Sequence, residues 1–231
     1  MSEPKRSTDK VHSARLKAYA IELLIGLAVA GSLLTLLRWM ASEVFEGDTN
    51  AFDQAVRNGI HSASSPALTS FFIGVSFIGS PVFLITLGVV AVIAFAYLGK
   101  KRGSILIVIT MAGEIVLDVG LKGIYARARP EPFFNYALPQ SFSFPSGHAL
   151  GSLCFYGIVA WIIATRTTSL AIRWTAPSTA ALLILLVGVS RIYLGVHYPT
   201  DVLAGFTAGA VWTAAVCLGD HYFSRPSRLV E

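Results

Sequence analysis

The stretch Pro177–Asp201, PSTAALLILLVGVSRIYLGVHYPTD, decides how this chain is read. It is apolar and uncharged up to Val189, and then carries Ser190, Arg191, His197 and Asp201 in quick succession. A helix of about 20 apolar residues crosses a bilayer. The segment therefore reads as a membrane span whose end delivers a cation, an imidazole and a carboxylate to the water interface. Both features recur along the chain.

Working outward, stretches near Ala18–Met40, Pro81–Leu98, Ser104–Leu121, His148–Thr165 and Asp201–Gly219 join Pro177–Leu194 as candidate spans. Hydrophobic residues make up 54% of the 231 and charged residues only 13%, a balance that excludes an ordinary water-soluble domain. The expected fold is all-α: a six-transmembrane-helix bundle forming one membrane domain over residues 18–219, with tails at 1–17 and 220–231. The first apolar run is too long for a signal-peptide core and lacks a cleavage-like end, so it reads as a retained span. Pro66–Ser80 places Leu68, Phe71, Phe72 and Val75 at helical spacing. Two readings stand there, a short helix lying in the interface or an extension of the second span.

The net charge of +5 does not imply nucleic acid, because the basic residues form no stripe or arm beside aromatics. They follow membrane topology instead. Lys5, Arg6, Lys10, Arg15, Lys17, Lys100, Lys101, Arg102, Arg166, Arg173, Arg225 and Arg228 fall on one side of six spans. The positive-inside rule makes that side, and both termini, cytoplasmic. The outer side keeps Arg38, Arg57, Lys122, Arg127, Arg129 and Arg191, and its first loop is acidic, with Glu43, Glu46, Asp48 and Asp53. Outer basic residues that defy the rule point to headgroup contact or to an anion site. Cys154 and Cys217 lie in apolar runs without metal-ligand spacing and read as packing residues, too far apart along their spans to bridge. No internal repeat, metal centre, cofactor motif or obligatory protein partner is evident.

Three segments at the outer ends of spans hold the unusual chemistry. The first is Lys122 with Arg129-Pro130, the second Pro145-Ser146-Gly147-His148, and the third Ser190-Arg191, His197 and Asp201. A phosphoryl group in transfer spreads negative charge over its oxygens, so its catalysis is mostly positioning and charge stabilisation. Lys122, Arg129 and Arg191 supply cations, two of them planar donors suited to bidentate contact. Gly147 allows close backbone approach at a helix start whose N–H groups are unpaired, and Ser146 adds a hydroxyl. Pro145 stiffens the entry. One histidine can attack phosphorus while the other protonates the leaving oxygen. Asp201, four residues after His197 with Pro199 suited to a first helical turn, can hold one imidazole nitrogen.

In this order the segments resemble the tripartite signature of the type 2 phosphatidic acid phosphatase superfamily, which includes vanadium haloperoxidases and glucose-6-phosphatase. The match runs from Lys122 to Asp201. The resemblance implies that His197 is a nucleophile forming a phosphohistidine, that Asp201 orients it, and that His148 is the acid and then the base. It implies that Lys122, Arg129, Ser146, Gly147 and Arg191 bind phosphate, with Pro130, Pro145 and Ser190 in support. It also implies metal-independent hydrolysis of a lipid phosphate. In size and layout the chain is most similar to compact bacterial phosphatases acting on phosphatidylglycerophosphate or undecaprenyl diphosphate. The rival readings are a lipid phosphotransferase, a haloperoxidase for which spans serve no purpose, and a silent lipid-binding or transport protein, which predicts missing catalytic residues.

Glu114, Asp118 and Lys122 share one face of the third span. Asp118 is expected to orient Lys122 or Arg191, and Glu114 to serve a proton or ion path or to do nothing specific. Arg127 reads as headgroup contact or a lone surface charge. Phe133, Phe134 and Tyr136 read as interface anchors or as a cover for the acyl chain. Gly205 and Gly209 follow Asp201 on one face and are expected to pack closely enough to fix it.

Overall fold

The computed structural model describes residues 3–223, with side chains from 24 to 222. The tail cations behind the orientation reading lie outside the described side chains. Eight helices, α1 Glu3–Glu46, α2 Asn50–Ser62, α3 Pro66–Ile78, α4 Pro81–Tyr97, α5 Lys101–Tyr125, α6 Gly147–Arg166, α7 Leu170–Tyr193 and α8 Pro199–Phe223, follow one another, with no strand among the described residues. Five segments, Leu24–Glu46, Lys101–Tyr125, Gly147–Arg166, Leu170–Tyr193 and Pro199–Tyr222, are each long and apolar enough to cross a membrane.

Of the six expected spans, the second is the one that the structure breaks. With 17 residues α4 reaches spanning length only together with α3, which it meets at a 47° bend. The break is local chemistry. Ser80 Oγ accepts from Phe83 N at 3.3 Å, and Pro81 at the first helical position has no N–H to continue the α3 ladder. Ser65 and Pro66 start α3 in the same way. Pro66–Ser80 is thus a helix of its own rather than a straight extension. The fifth span begins at Leu170, capped by Ser169, so Pro177 lies inside α7 rather than at its start. Helix α2 was not expected. Gly47, at φ 84°, closes α1 and turns the chain into it.

At the centre, α6 packs against α4, α5, α7 and α8, while α1 lies on α8 and α3 on α7. In lipid, helices gain little from apolar burial and associate through close approach. The small residues of α5, α6 and α8 permit it. An ideal Cβ at Gly113 would sit 2.1 Å from Cζ2 of Trp212, whose Nε1 donates to Thr110 O at 2.9 Å. One core cluster joins Leu37, Met40, Ala41 and Val44 of α1 to Leu150, Cys154, Ala204 and Ala208. A second joins Leu106, Ile107, Ile158, Ile162 and Val216. Val82, Val116, Ile124 and Trp174 remain exposed, as surface facing lipid tails would be. Both cysteines are free, Cys154 buried and Cys217 half-buried. The three motif segments meet at one end of the bundle, where α5 and α7 finish and α6 and α8 begin. At the other end Arg102 Nε pairs with Asp220 Oδ1 at 2.5 Å.

Candidate active site

Backbone contacts bring the segments together. Ser146 N donates to Asp201 O at 2.9 Å, joining the start of α6 to the first turn of α8. Ser143 N donates to Arg127 O at 2.8 Å and closes the loop that follows α5. Phe133 N donates to Leu194 O at 2.9 Å beside Gly195, whose φ is 75° and whose ideal Cβ would lie 2.6 Å from Phe133 N. Only glycine fits that turn and that approach.

His197 is 1% exposed. Its Nδ1 lies 3.3 Å from Asp201 Oδ2, and its Nε2 lies 2.9 Å from Arg129 Nη1. A guanidinium can only donate, so Nε2 accepts, and the ring proton sits on Nδ1 toward the carboxylate. Burial pushes the imidazole down to about 4, reinforced by Arg129 and Arg191 and opposed by Asp201. His197 is therefore neutral near pH 7, with its lone pair on Nε2. Asp201 is fully buried and accepts from Tyr198 N at 2.9 Å, from Ser143 Oγ, and from Arg127 Nη1 at 2.6 Å.

The remaining motif residues are placed as follows. Lys122 Nζ pairs with Asp118 Oδ2 at 2.8 Å, so Asp118 serves Lys122 rather than Arg191. An ideal Cβ at Gly147 would lie 2.8 Å from Asp118 Oδ1 and 3.1 Å from Lys122 Nζ, so only glycine leaves that pair in place. Arg129 gives its donors to Ser141 O, Ser141 Oγ, Phe142 O and Val196 O as well as to His197. Burial holds its guanidinium below the ordinary arginine range, against the pull of Asp201 and Asp118. Arg191 is 1% exposed and donates to Ser76 Oγ, and its Nε is buried without a partner, as is Ser146 Oγ. Pro130 and Pro145 are buried beside these groups. The hydroxyl of Ser190 donates to Val187 O at 2.6 Å inside its own helix and does not reach the site.

A cleft of about 420 Å³ opens at this point. Lys122, Arg129, Gly147, His148 and His197 line its polar end. Leu84, Ile85, Met111, Ile115 and Val119 form apolar wall deeper between α4 and α5, with Glu114 among them. Arg191, Ser146 and Asp201 are buried and do not line it. Among the described residues no three His, Cys, Asp or Glu side chains converge as a metal site.

Three groups escaped sequence reasoning. Arg127 is neither lone nor superficial: it bridges Asp201 and the fully buried Asp53. Burial would lower its guanidinium, but Asp201 and Asp53 outweigh that and raise it. Ser143 has no motif to mark it. The aromatic loop residues pack on neighbouring elements, and only Tyr136 reaches a motif residue. Phe133 stacks on His61 at 4.0 Å, Phe134 on Tyr193 at 5.5 Å, and Tyr136 lies under Arg191 at 5.8 Å.

Comparison with known proteins gives the family and the fold. The model of the PAP2 superfamily matches residues 102–225. The chain belongs to the PAP2 superfamily. It is 29% identical over 179 residues to phosphatidylglycerophosphatase B of Bacillus subtilis (strain 168), covering 77% of this chain and 88% of that protein. It is 35% identical over 119 residues to the undecaprenyl-diphosphatase of Sulfolobus acidocaldarius, covering 48% of this chain and 52% of that one. The crystal structure of a transmembrane PAP2 type phosphatidylglycerolphosphate phosphatase from Bacillus subtilis superimposes with a TM-score of 0.78 at 28% identity, covering 86% of this chain and 98% of that chain.

Proposed function

We propose that this chain is a membrane lipid phosphatase that hydrolyses a phosphomonoester or pyrophosphate through a phosphohistidine on His197, at the outer face of the membrane. One observation carries the reading: the cleft has two histidines and two cations at one end and an apolar wall between α4 and α5 below them. That shape suits an amphiphile with a phosphate head. Its relatives support the class, since the similar proteins named above act on phosphatidylglycerophosphate and undecaprenyl diphosphate. These two lipids and phosphatidate are the leading substrate candidates.

In this mechanism His197 Nε2 attacks phosphorus and the bond to the leaving oxygen breaks. His148 gives that oxygen its proton, then takes one from the water that cleaves the phosphohistidine. Asp201 holds Nδ1–H and stabilises the positive ring. Lys122, Arg129, Arg191, Ser146 and Gly147 take the phosphate oxygens. Arg191 Nε and Ser146 Oγ are buried without partners and off the cleft lining, so they donate to an anion only once its entry uncovers them. Arg129 must exchange its bond to Nε2 for one to phosphate as substrate enters. In this reading both termini face the cytoplasm, which the concentration of basic residues on that side supports.

The test is purified full-length protein presented with undecaprenyl diphosphate, phosphatidylglycerophosphate and phosphatidate while released phosphate is followed. Release from at least one, abolished in His197→Ala, is expected. No release from any of them, or release undiminished by His197→Ala, refutes the proposal.

A further inference from the structure

The geometry points to Asp53 and Arg127 as positioning residues that work as one unit to hold Asp201, and through it His197, in register for attack. This rests on the mechanism proposed above and extends it to a helix, α2, that lies outside the stretch matched by the family model.

Arg127 is spent on the protein, not on the cleft. Its Nη1 donates to Asp201 Oδ1 at 2.6 Å and to Thr200 Oγ1 at 2.9 Å, and its Nη2 donates to Asp53 Oδ2 at 2.8 Å. It does not line the cleft that holds His148 and His197. Its guanidinium lies 4.0 Å from the ring centroid of Tyr198, the residue after the proposed nucleophile. Asp53 is fully buried and accepts from Thr200 N at 3.1 Å and Thr200 Oγ1 at 2.8 Å. One carboxylate from α2 thus grips the first turn of α8 directly and, through Arg127, the carboxylate that faces His197.

The division of oxygens makes this more than packing. Oδ1 of Asp201 takes Arg127, while Oδ2 takes Ser143, Tyr198 N and His197. With Oδ1 fixed, Oδ2 is pinned toward Nδ1, which sets the imidazole tautomer and leaves Nε2 unprotonated for attack once Arg129 turns to the phosphate. Arg57, one turn after Asp53, reinforces the clamp: its Nη2 donates to Glu131 O at 2.7 Å and Gly195 O at 3.3 Å, and its guanidinium lies 5.4 Å from the Tyr198 ring.

The experiment compares wild type, Asp53→Asn, Arg127→Gln, the double variant and Arg127→Lys as full-length protein, with His197→Ala alongside. Loss of an outer partner of a metal-bound histidine costs about 10–100-fold, and the same order is expected for an outer partner of the attacking histidine. Each single change is expected to lower kcat by that factor with KM within about twofold, and Arg127→Lys to recover part of the loss. The double variant is expected to be no worse than Arg127→Gln, because residues acting as a unit are non-additive. Full kcat in either single variant, additive losses, or a raised KM with normal kcat overturns the inference. The last would mean that Arg127 binds substrate itself. If Arg127→Gln yields no folded protein, Asp53→Asn and Thr200→Val, which keep their shapes, carry the test. An active His197→Ala sinks the underlying mechanism. An inactive His197→Ala beside fully active Asp53 and Arg127 variants sinks this inference alone.

Discussion

Gly205 is where helix packing and catalysis meet. It lies one turn after Asp201 and faces the first turn of α6. An ideal Cβ there would sit 2.6 Å from Ser146 O, 3.0 Å from Ala149 Cβ and 3.2 Å from Leu150 N. Two of these are backbone atoms, so no rotamer change relieves the clash. Ordinary contact begins near 3.4 Å, and Gly205→Ala must therefore part α6 and α8 locally by about 0.8 Å. The same shift stretches the bond from Ser146 N to Asp201 O, now 2.9 Å, and moves His148 away from His197. Overpacking of this size costs about 1–3 kcal/mol, whereas a misplacement near 1 Å between reacting groups can cost about 100-fold in rate. Gly205→Ala should therefore lose activity by about that factor while unfolding only modestly earlier. Gly209→Ala meets Leu150 O at 3.1 Å, needs a much smaller shift, and should lose far less. Gly120→Ala meets nothing within 4 Å and should match wild type. Phosphate release and thermal unfolding of detergent-solubilised protein are the measurements. A fully active Gly205→Ala, or equal losses at Gly205 and Gly209, would show that the α6–α8 distance does not set the chemistry.

The neutral state of buried His197 predicts that the acid limb of kcat/KM lies near pH 4 rather than 6.5, after allowance for the substrate's own ionisation; a limb at 6.5 that persists with substrates of different ionisation argues against it. The unfolded chain binds that proton more readily, so stability from this group is complete above about pH 6.5. It falls as pH drops toward 4, by on the order of 3 kcal/mol, which acid-titrated melting would reveal. His148→Ala should slow an alkyl phosphate far more than a nitrophenyl phosphate, whose oxygen hardly needs a proton; equal losses would remove His148 from the acid role. Activity should survive a chelator, and loss with rescue by a divalent ion would contradict the mechanism. Gln140, exposed on the loop beside the site, should when changed to Cys react with an impermeant thiol reagent in intact cells, and labelling only after lysis would reverse the orientation.

Local rules in the sequence determined a great deal. Apolar runs became helices because a backbone in lipid must satisfy its own hydrogen bonds. The spacing of four placed Asp118 on Lys122 and Asp201 near His197, and Pro199 opened α8 as its missing N–H allows. Gly205 and Gly209 marked the close face of α8 before any partner helix was known. What only the tertiary structure decided lies between elements distant in the chain. Asp53 and Arg127 are 74 residues apart and share no periodicity, so one looked like loop acidity and the other like a surface charge. Ser143 gained its place on Asp201, 58 residues on, from a loop path that no local preference encodes. The Ser80–Pro81 start marked the break between α3 and α4 in the sequence, but the 47° angle and the seat of α3 on α7 appear only in the packed structure. Short-range spacing fixes which side chains share a helix face. Which faces meet, and which buried charges must then find one another, follows only when the helices pack.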